Sequence, residues 1–323
     1  MIRLFKILLA TLLLALIGAI AAYIYTISNA KPLDDAARAK APGAFLETSQ
    51  GKLHYRWHGP ENGPVIVMAH GFSTPNFIFA PNAKALADQG FRVLTFDHFG
   101  RGWSDRPKAR YTPDFYDREL TELVDGLGIT EPFGLVGLSM GGPITAEFTA
   151  RHPERVSKLF LFVPAGFETS TKTGSAQDIL LRTPIIGDWV WRVFGKRLLL
   201  ASYEEDGAAA SPTEGLAGNI LEQIEYAGYF EALLSSYRHL PMQDQDEIFA
   251  RVEASGVPIH AIFGEQDETV LIASADRLEK AAPSAIITRI QEGRHGLNYQ
   301  LSAEVGPILT GFFDSLKTPA PAP

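Results

Sequence analysis

The chain has 323 residues, 46% of them apolar and 20% charged, with a net charge of −8 and no cysteine. That composition excludes global disorder and admits one large domain with an insertion, or two small domains. It excludes disulfides, thiolate catalysis and cysteine-held metal, and with no basic block it speaks against nucleic acid as a partner.

The N-terminus differs from the rest. Ile7 to Ile27 is a run of 21 residues without a charge. A bilayer core needs roughly 20 such residues in a helix, whereas a secretory signal's apolar region spans about 7–15. Residues 1–28 therefore read as a membrane anchor. The competing reading is a cleaved signal, with Ala19-Ile20-Ala21 or Ser28-Asn29-Ala30 as the cleavage site and a secreted product. Arg3 and Lys6 precede the span, while Asp34 and Asp35 dilute the Lys31, Arg38 and Lys40 that follow it. The positive-inside tendency then sets the N-terminus inside and the folded domain outside the cytoplasm. Residues 29–43, with Pro32 and Pro42, read as a tether or a short helix near the membrane.

Strand signals then recur. Lys52 to Trp57 alternates, and Val65 to Ala69, Arg92 to Phe96, Phe133 to Leu138, Leu159 to Val163, Ile259 to Phe263 and Ala285 to Ile290 follow. Continuous apolar runs of this length suit strands covered on both faces of a parallel sheet. Helical patterns lie between them at Ala83–Gln89, Pro113–Leu127, Ile144–His152, Ser274–Ala282 and Ser302–Leu316. This alternation predicts an α/β fold with a mostly parallel sheet. No strand run appears from Gly166 to Val257, where helical patches occur at Ile179–Phe194 and Asn219–Leu234. A structureless loop of that length is improbable, so residues 166–257 read as a helical cap inserted between core segments 44–165 and 258–317. Its aromatics Trp189, Trp191, Phe194, Tyr226, Tyr229 and Phe230 are expected to form mainly the cap's own core. Residues 318–323 form a Pro/Ala tail.

Gly137-Leu138-Ser139-Met140-Gly141 lies between an apolar strand and a helix that opens near Pro143. In that setting G-x-S-x-G is a nucleophile elbow, with the serine on a turn so sharp that Oγ stands clear of the sheet. Side chains two residues either side of it would meet backbone, which suits Gly137 and Gly141. A serine hydroxyl is a poor nucleophile at neutral pH. It needs a base, a group to orient that base and donors for the oxyanion.

Three histidines after the serine lie in plausible places. His295 follows the last strand in a loop flanked by Gly293 and Gly296, which suits the base. His260 falls inside a strand and reads as structural, and His239, in the cap, is the weaker rival. The orienting acid is expected from Gly264-Glu265-Gln266-Asp267-Glu268. Asp267 is preferred, Glu265 and Glu268 reading as solvated turn residues, and Glu168 is the rival after the preceding strand. The backbone N–H groups of Met140, just after the serine, and of Phe72, in the loop after Val65–Ala69, are expected to form the oxyanion hole. The His70 side chain reads as a structural hydrogen bonder.

These motifs, with Asp97 to Asp105, resemble the α/β-hydrolase superfamily over nearly everything from Phe45 to Leu316. The chain looks most like capped serine esterases, including membrane-anchored monoacylglycerol lipases; Asn76 to Phe79, Pro164 to Phe167 and the N-terminal span carry that likeness. It is also similar to hydrolases that cleave carbon–carbon bonds in ring-fission products. The resemblance implies an ester substrate, lipid esters above all, with no cofactor and no metal. A non-catalytic binding protein on the same scaffold is the third reading. Arg294 departs from the glycine that many relatives carry before the histidine, and Asp97 to Asp105 reads as a structural turn.

Overall fold

Buried apolar strands with helices between them must cover both faces of a sheet. The computed structural model, which describes residues 1–205 and 216–317, shows that arrangement. Strands β1 (Ala44–Thr48), β2 (Gly51–His58), β3 (Val65–Ala69), β4 (Arg92–Phe96), β5 (Phe133–Leu138), β6 (Val156–Phe162), β7 (Ile259–Gly264) and β8 (Ile286–Ile290) form one sheet in the order β1-β2-β4-β3-β5-β6-β7-β8. The β1–β2 and β2–β4 pairs are antiparallel and the others parallel. Central registers pair Val67 with both Leu94 and Leu135, and Leu161 with Ala261.

Helices α3 (Ala80–Asp88), α4 (Pro113–Gly126), α5 (Gly141–Arg151), α11 (Ala273–Ala281) and α13 (Ser302–Phe313) flank the sheet, and the short α12 (Leu297–Gln300) leads into the last. Two apolar clusters result. One gathers Leu120, Leu135, Phe148, Leu161 and Leu278, and the other Phe91, Val136, Phe160, Leu309 and Phe313.

The structure departs from the sequence reading at several places. β1 was not expected; it pairs with β2 across the tight turn at Ser49-Gln50. Between β6 and β7 stand α6 (Ala176–Arg182), α7 (Ile186–Glu205), α8 (Leu216–Ile224), α9 (Tyr229–His239) and α10 (Asp246–Ser255). The patch expected as one helix over Ile179–Phe194 is broken at Thr183-Pro184, because the residue before proline is driven out of the helical region; Thr183 has ψ 120°. The second patch breaks before Gly228, whose φ of +85° suits glycine.

The N-terminal run is α1 (Ile2–Ser28), with no buried residue and an 18-residue stretch whose mean hydropathy is 2.6. Residues 29–43 contain α2 (Asp35–Arg38), capped by Asp34, whose carboxylate accepts from Ala37 N–H at 2.9 Å. This segment is docked onto the domain. Lys31 bridges in parallel to Tyr226, and Arg38 donates to Trp103 O and to the Asp105 carboxylate. The Pro/Ala tail lies outside the described residues.

Candidate active site

Ser139 is the first residue after β5 and has φ +52°, a conformation that a non-glycine residue holds only when its surroundings impose it. They do so here. Its N–H donates to Phe162 O at 3.0 Å, and its carbonyl accepts from Gly142 N–H at 2.8 Å and Ala165 N–H at 3.0 Å. A Cβ at Gly137 would collide with Thr145 Oγ1 and Gly141 O, and one at Gly141 with Ala69 O. The two glycines thus let α5 close down on the sheet with its N-terminus beside the serine.

Two strands along the sheet from β5, Asp267 follows β7, and His295 follows β8, the next strand. His295 Nδ1 lies 2.8 Å from Asp267 Oδ2, and Nε2 lies 3.0 Å from Ser139 Oγ. The acceptor at Nδ1 is a carboxylate, so Nδ1–H donates to Asp267 and Nε2 is left to accept from the serine hydroxyl. Asp267 is buried, and its second oxygen accepts from Thr269 N–H at 2.7 Å and Val270 N–H at 2.9 Å. Those two bonds hold the carboxylate edge toward the imidazole. Gly264 and Gly293 make this approach close enough, since a Cβ on Gly264 would run into the Gly293 backbone.

The rival residues stand elsewhere. Glu168 is tied through its backbone to Ser274 and Leu271. His260 Nε2 contacts Thr288 Oγ1 at 2.9 Å on β8, and burial holds its ring down to about 4. His239 lines the cavity above the serine from the end of α9.

The loop after β3 passes the serine closely: a Cβ on Gly71 would sit 3.3 Å from Ser139 Cβ. His70 shapes this loop. His98 N–H donates to His70 Nε2 at 2.9 Å, which requires Nδ1–H, and that hydrogen is donated to Gly71 O at 2.8 Å. Burial, with the neighbouring His98, keeps the ring neutral by holding its pKa well below the usual range.

A residue that sequence reasoning passed over lies beneath. Arg101 is fully buried, and its Nε–H donates to Phe72 O at 2.9 Å. Its other nitrogens reach Phe99 O, Tyr116 Oη and, on α9, Ser236 Oγ at 2.8 Å, and one lies 3.7 Å from Met140 Sδ. One guanidinium therefore links Phe72, Met140 and the inserted helices. Only its flanking glycines hinted at burial, because an arginine is ordinarily read as solvated.

Ser139 opens onto two chambers. One, of about 800 Å3, runs under the inserted helices and is lined by Phe72, Leu181, Trp191, Leu234, Met242 and Val270 together with polar residues such as Thr171, Gln177, Asp178 and Gln243. The other, of about 280 Å3, is bounded by Ile78, Leu138, Leu199, Ile220, His295 and Tyr299. Both share Phe72 and Ser139. Of the six aromatics singled out in the insertion, Trp191 alone lines either chamber among the described residues; Tyr229 and Phe230 belong to the apolar core.

Comparison with known proteins agrees with this fold. A family described as alpha/beta hydrolase fold matches residues 64–184. The chain is 24% identical over 297 residues to the monoacylglycerol lipase abhd6-B of Xenopus laevis, covering 85% of this chain and 80% of that one. It is 27% identical over 264 residues to a putative 2-succinyl-6-hydroxy-2,4-cyclohexadiene-1-carboxylate synthase of Bacillus subtilis, covering 80% and 93%. Among solved structures, an esterase from Exiguobacterium antarcticum superposes with a TM-score of 0.70 at 19% identity, covering 84% of this chain and 99% of that one.

Proposed function

The chain is an α/β hydrolase by fold, and from that premise we propose that it is a serine hydrolase of carboxylic esters, with lipid or acylglycerol esters as its substrates. The observation that carries this is the unbroken chain Asp267–His295–Ser139 opening onto a large, mainly apolar chamber. The lipase and esterase relatives support hydrolase activity on esters.

In the proposed reaction Ser139 Oγ attacks the ester carbonyl while its proton passes to His295 Nε2. Asp267 holds the ring in the required tautomer and stabilises the imidazolium that forms. The carbonyl oxygen becomes an oxyanion, which accepts from the N–H groups of Phe72 and Met140; each such donor is worth about 3 kcal/mol. Collapse breaks the ester C–O bond, and the departing alcohol takes the proton from His295. Water then gives a proton to His295 and attacks the acyl-enzyme, releasing the acid and restoring Ser139. No step draws on a metal or cofactor. The larger chamber suits an acyl chain and the smaller a leaving alcohol.

Helices α6 to α10 serve in this reading as the cap that selects substrate, and α1 as a single-pass anchor with the domain outside the cytoplasm. An anchored enzyme meets membrane-borne esters directly, which favours them over the carbon–carbon substrates that the same three residues would serve. A fluorophosphonate probe is expected to label the wild type and to leave Ser139→Ala unlabelled; equal labelling of the two, or none of either, overturns the proposal.

A further inference from the structure

Where α1 meets the domain, it packs against α7. Ala19, Ala22, Tyr23 and Thr26 form its half-buried stripe, at helical spacing. Trp189 on α7 donates its indole N–H to Ala19 O at 2.8 Å, and Arg192, one turn on, donates to Thr26 O at 3.0 Å. Small residues on α1 allow this close approach.

These contacts fix a depth. The uncharged run of α1 ends at Ile27, and Ala19 lies eight residues before it, about 12 Å along the helix axis. Half of a bilayer's hydrocarbon core is about 15 Å. If Ile27 marks the surface of the hydrocarbon, Trp189 lies well inside one leaflet, and so does the corner joining α6 to α7.

That corner has the chemistry such a depth requires. Ile179, Leu180, Ile185 and Ile186 are all exposed, Ile185 by 83%, and Phe194 adds a further exposed ring packed edge-on against Trp189. Scattered exposed apolar residues are ordinary, but a contiguous set continuous with a membrane helix is not. The charged groups of the corner are paired with opposite charges or hydrogen-bonded, with Asp178 buried and the Asp188 and Arg182 side chains each 44% exposed. Asp188 accepts from Arg238 at 3.0 and 3.1 Å, and Asp178 accepts from Arg182 at 2.7 Å and from Tyr237 Oη at 2.8 Å. The exposed cations Lys196 and Arg197 come only further along α7, beyond Arg192 and the Thr26 level, where lipid headgroups would stand.

We propose that the α6–α7 corner inserts into the same leaflet that α1 crosses, so that the larger chamber receives its substrate from within the bilayer. Gln177, Asp178, Leu181 and Arg182 of α6 line that chamber, while Ile179 and Leu180 between them face outward. One short helix thus separates the chamber from lipid. The ligand class follows: an amphiphilic ester whose chain is dissolved in the leaflet and whose polar end meets the polar residues of the chamber lining. This rests on the reading of α1 as a membrane span, and the experiment separates the two.

The chain contains no cysteine, so single-cysteine variants of the full-length protein accept a fluorophore cleanly. Leu13→Cys in α1, Ile186→Cys in the corner and Lys84→Cys on exposed α3 would be labelled and placed in phospholipid nanodiscs carrying a mid-chain spin-label quencher. Insertion predicts strong quenching at positions 13 and 186 and little at 84. Quenching at 13 with position 186 matching position 84 overturns the insertion and leaves the anchor standing. Absence of quenching at 13 as well overturns the anchor and the insertion with it. In a second measurement, Ile186→Asp should lower turnover of vesicle-borne acylglycerol by about a hundredfold, in line with the cost of placing a carboxylate in hydrocarbon, while turnover of a short, water-soluble ester is retained. Equal effects on both substrates overturn the proposal.

Discussion

The same chemical pair, a histidine against a buried carboxylate, occurs at two ends of the sheet with different consequences. Past β7 and β8, His295 leans on Asp267 and turns its far nitrogen to Ser139 and the chambers. Around β2 and β4, His54 leans on Asp97 and His98 on Glu119, and neither lines either of the two chambers. His54 Nε2 lies 2.7 Å from Pro42 O, so acceptors stand at both ring nitrogens and the ring must be an imidazolium. Burial opposes that charge, but the Asp97 carboxylate outweighs it and holds His54 above its usual pKa. His98 Nε2 is buried without a partner. A histidine–carboxylate pair therefore does not by itself mark catalysis. What distinguishes His295 is that its far nitrogen meets a hydroxyl able to donate a proton, at the wall of a chamber.

Mutating the acid of each pair should separate the two regions, and Asp267→Asn carries the largest expected effect. The amide favours the wrong imidazole tautomer, so kcat toward a soluble ester should fall by about 10^4. Thermal stability should change little, since Thr269 and Val270 still find an acceptor. A kcat within tenfold of wild type would assign the base's orientation to another group, such as Glu168.

The legibility of the chain follows the same division. Ser139, Asp267 and His295 were readable because each stands at the end of a continuous apolar strand, with glycines where backbones must approach. Phe72 and Met140 were expected from position relative to that frame, and their role as donors is a proposal. The inserted helices were less readable, because one apolar periodicity runs through Thr183-Pro184, where the backbone cannot. Arg101 was missed because only the fold shows that its charge is surrounded by Phe72 O, Phe99 O, Tyr116 and Ser236. Nor does local pattern reveal that residues 29–43 dock on the inserted helices, since the bridge joins Lys31 to Tyr226, nearly two hundred positions later.

Asp97→Asn should have the opposite outcome to Asp267→Asn. The Asp97 carboxylate accepts from Asn76 N–H and Trp103 N–H at 2.9 Å and pairs with the His54 imidazolium at 2.7 Å. Burial raises the cost of its charge, but His54 and these donors hold its pKa below the ordinary value. Neutralising it leaves a buried cation without its counter-charge, and about 3 kcal/mol of stability should be lost. Denaturant titration would measure this, with kcat of the folded protein close to wild type. A loss of kcat comparable to that of Asp267→Asn would mean that the two regions are coupled and would dissolve the contrast.

Glu119→Gln gives the smallest effect and the finest test, because it asks whether the His98 pair is charged at all. Burial pushes Glu119 up to about 8 and His98 down to about 3. Both are then neutral near pH 7, with the carboxyl O–H donating to His98 Nδ1 and the other oxygen accepting from Phe99 N–H. An unfolded glutamate titrates near 4.3 and an unfolded histidine near 6.5. From about pH 3 to 6.5 the unfolded chain binds more protons at His98, so that group adds stability as pH rises. From about pH 4.3 to 8 the folded chain binds more at Glu119, so that group removes stability as pH rises. The two slopes oppose each other between about pH 4.3 and 6.5, and only the Glu119 loss remains between there and about 8. Glutamine keeps both hydrogen bonds and has no proton to lose. Its Tm should therefore rise relative to wild type as pH passes from about 6.5 to 8, by about 2–4 °C for each kcal/mol of difference. Parallel Tm curves across that window would mean that Glu119 is already ionised against a protonated His98, and the second region would then hold two ion pairs rather than one.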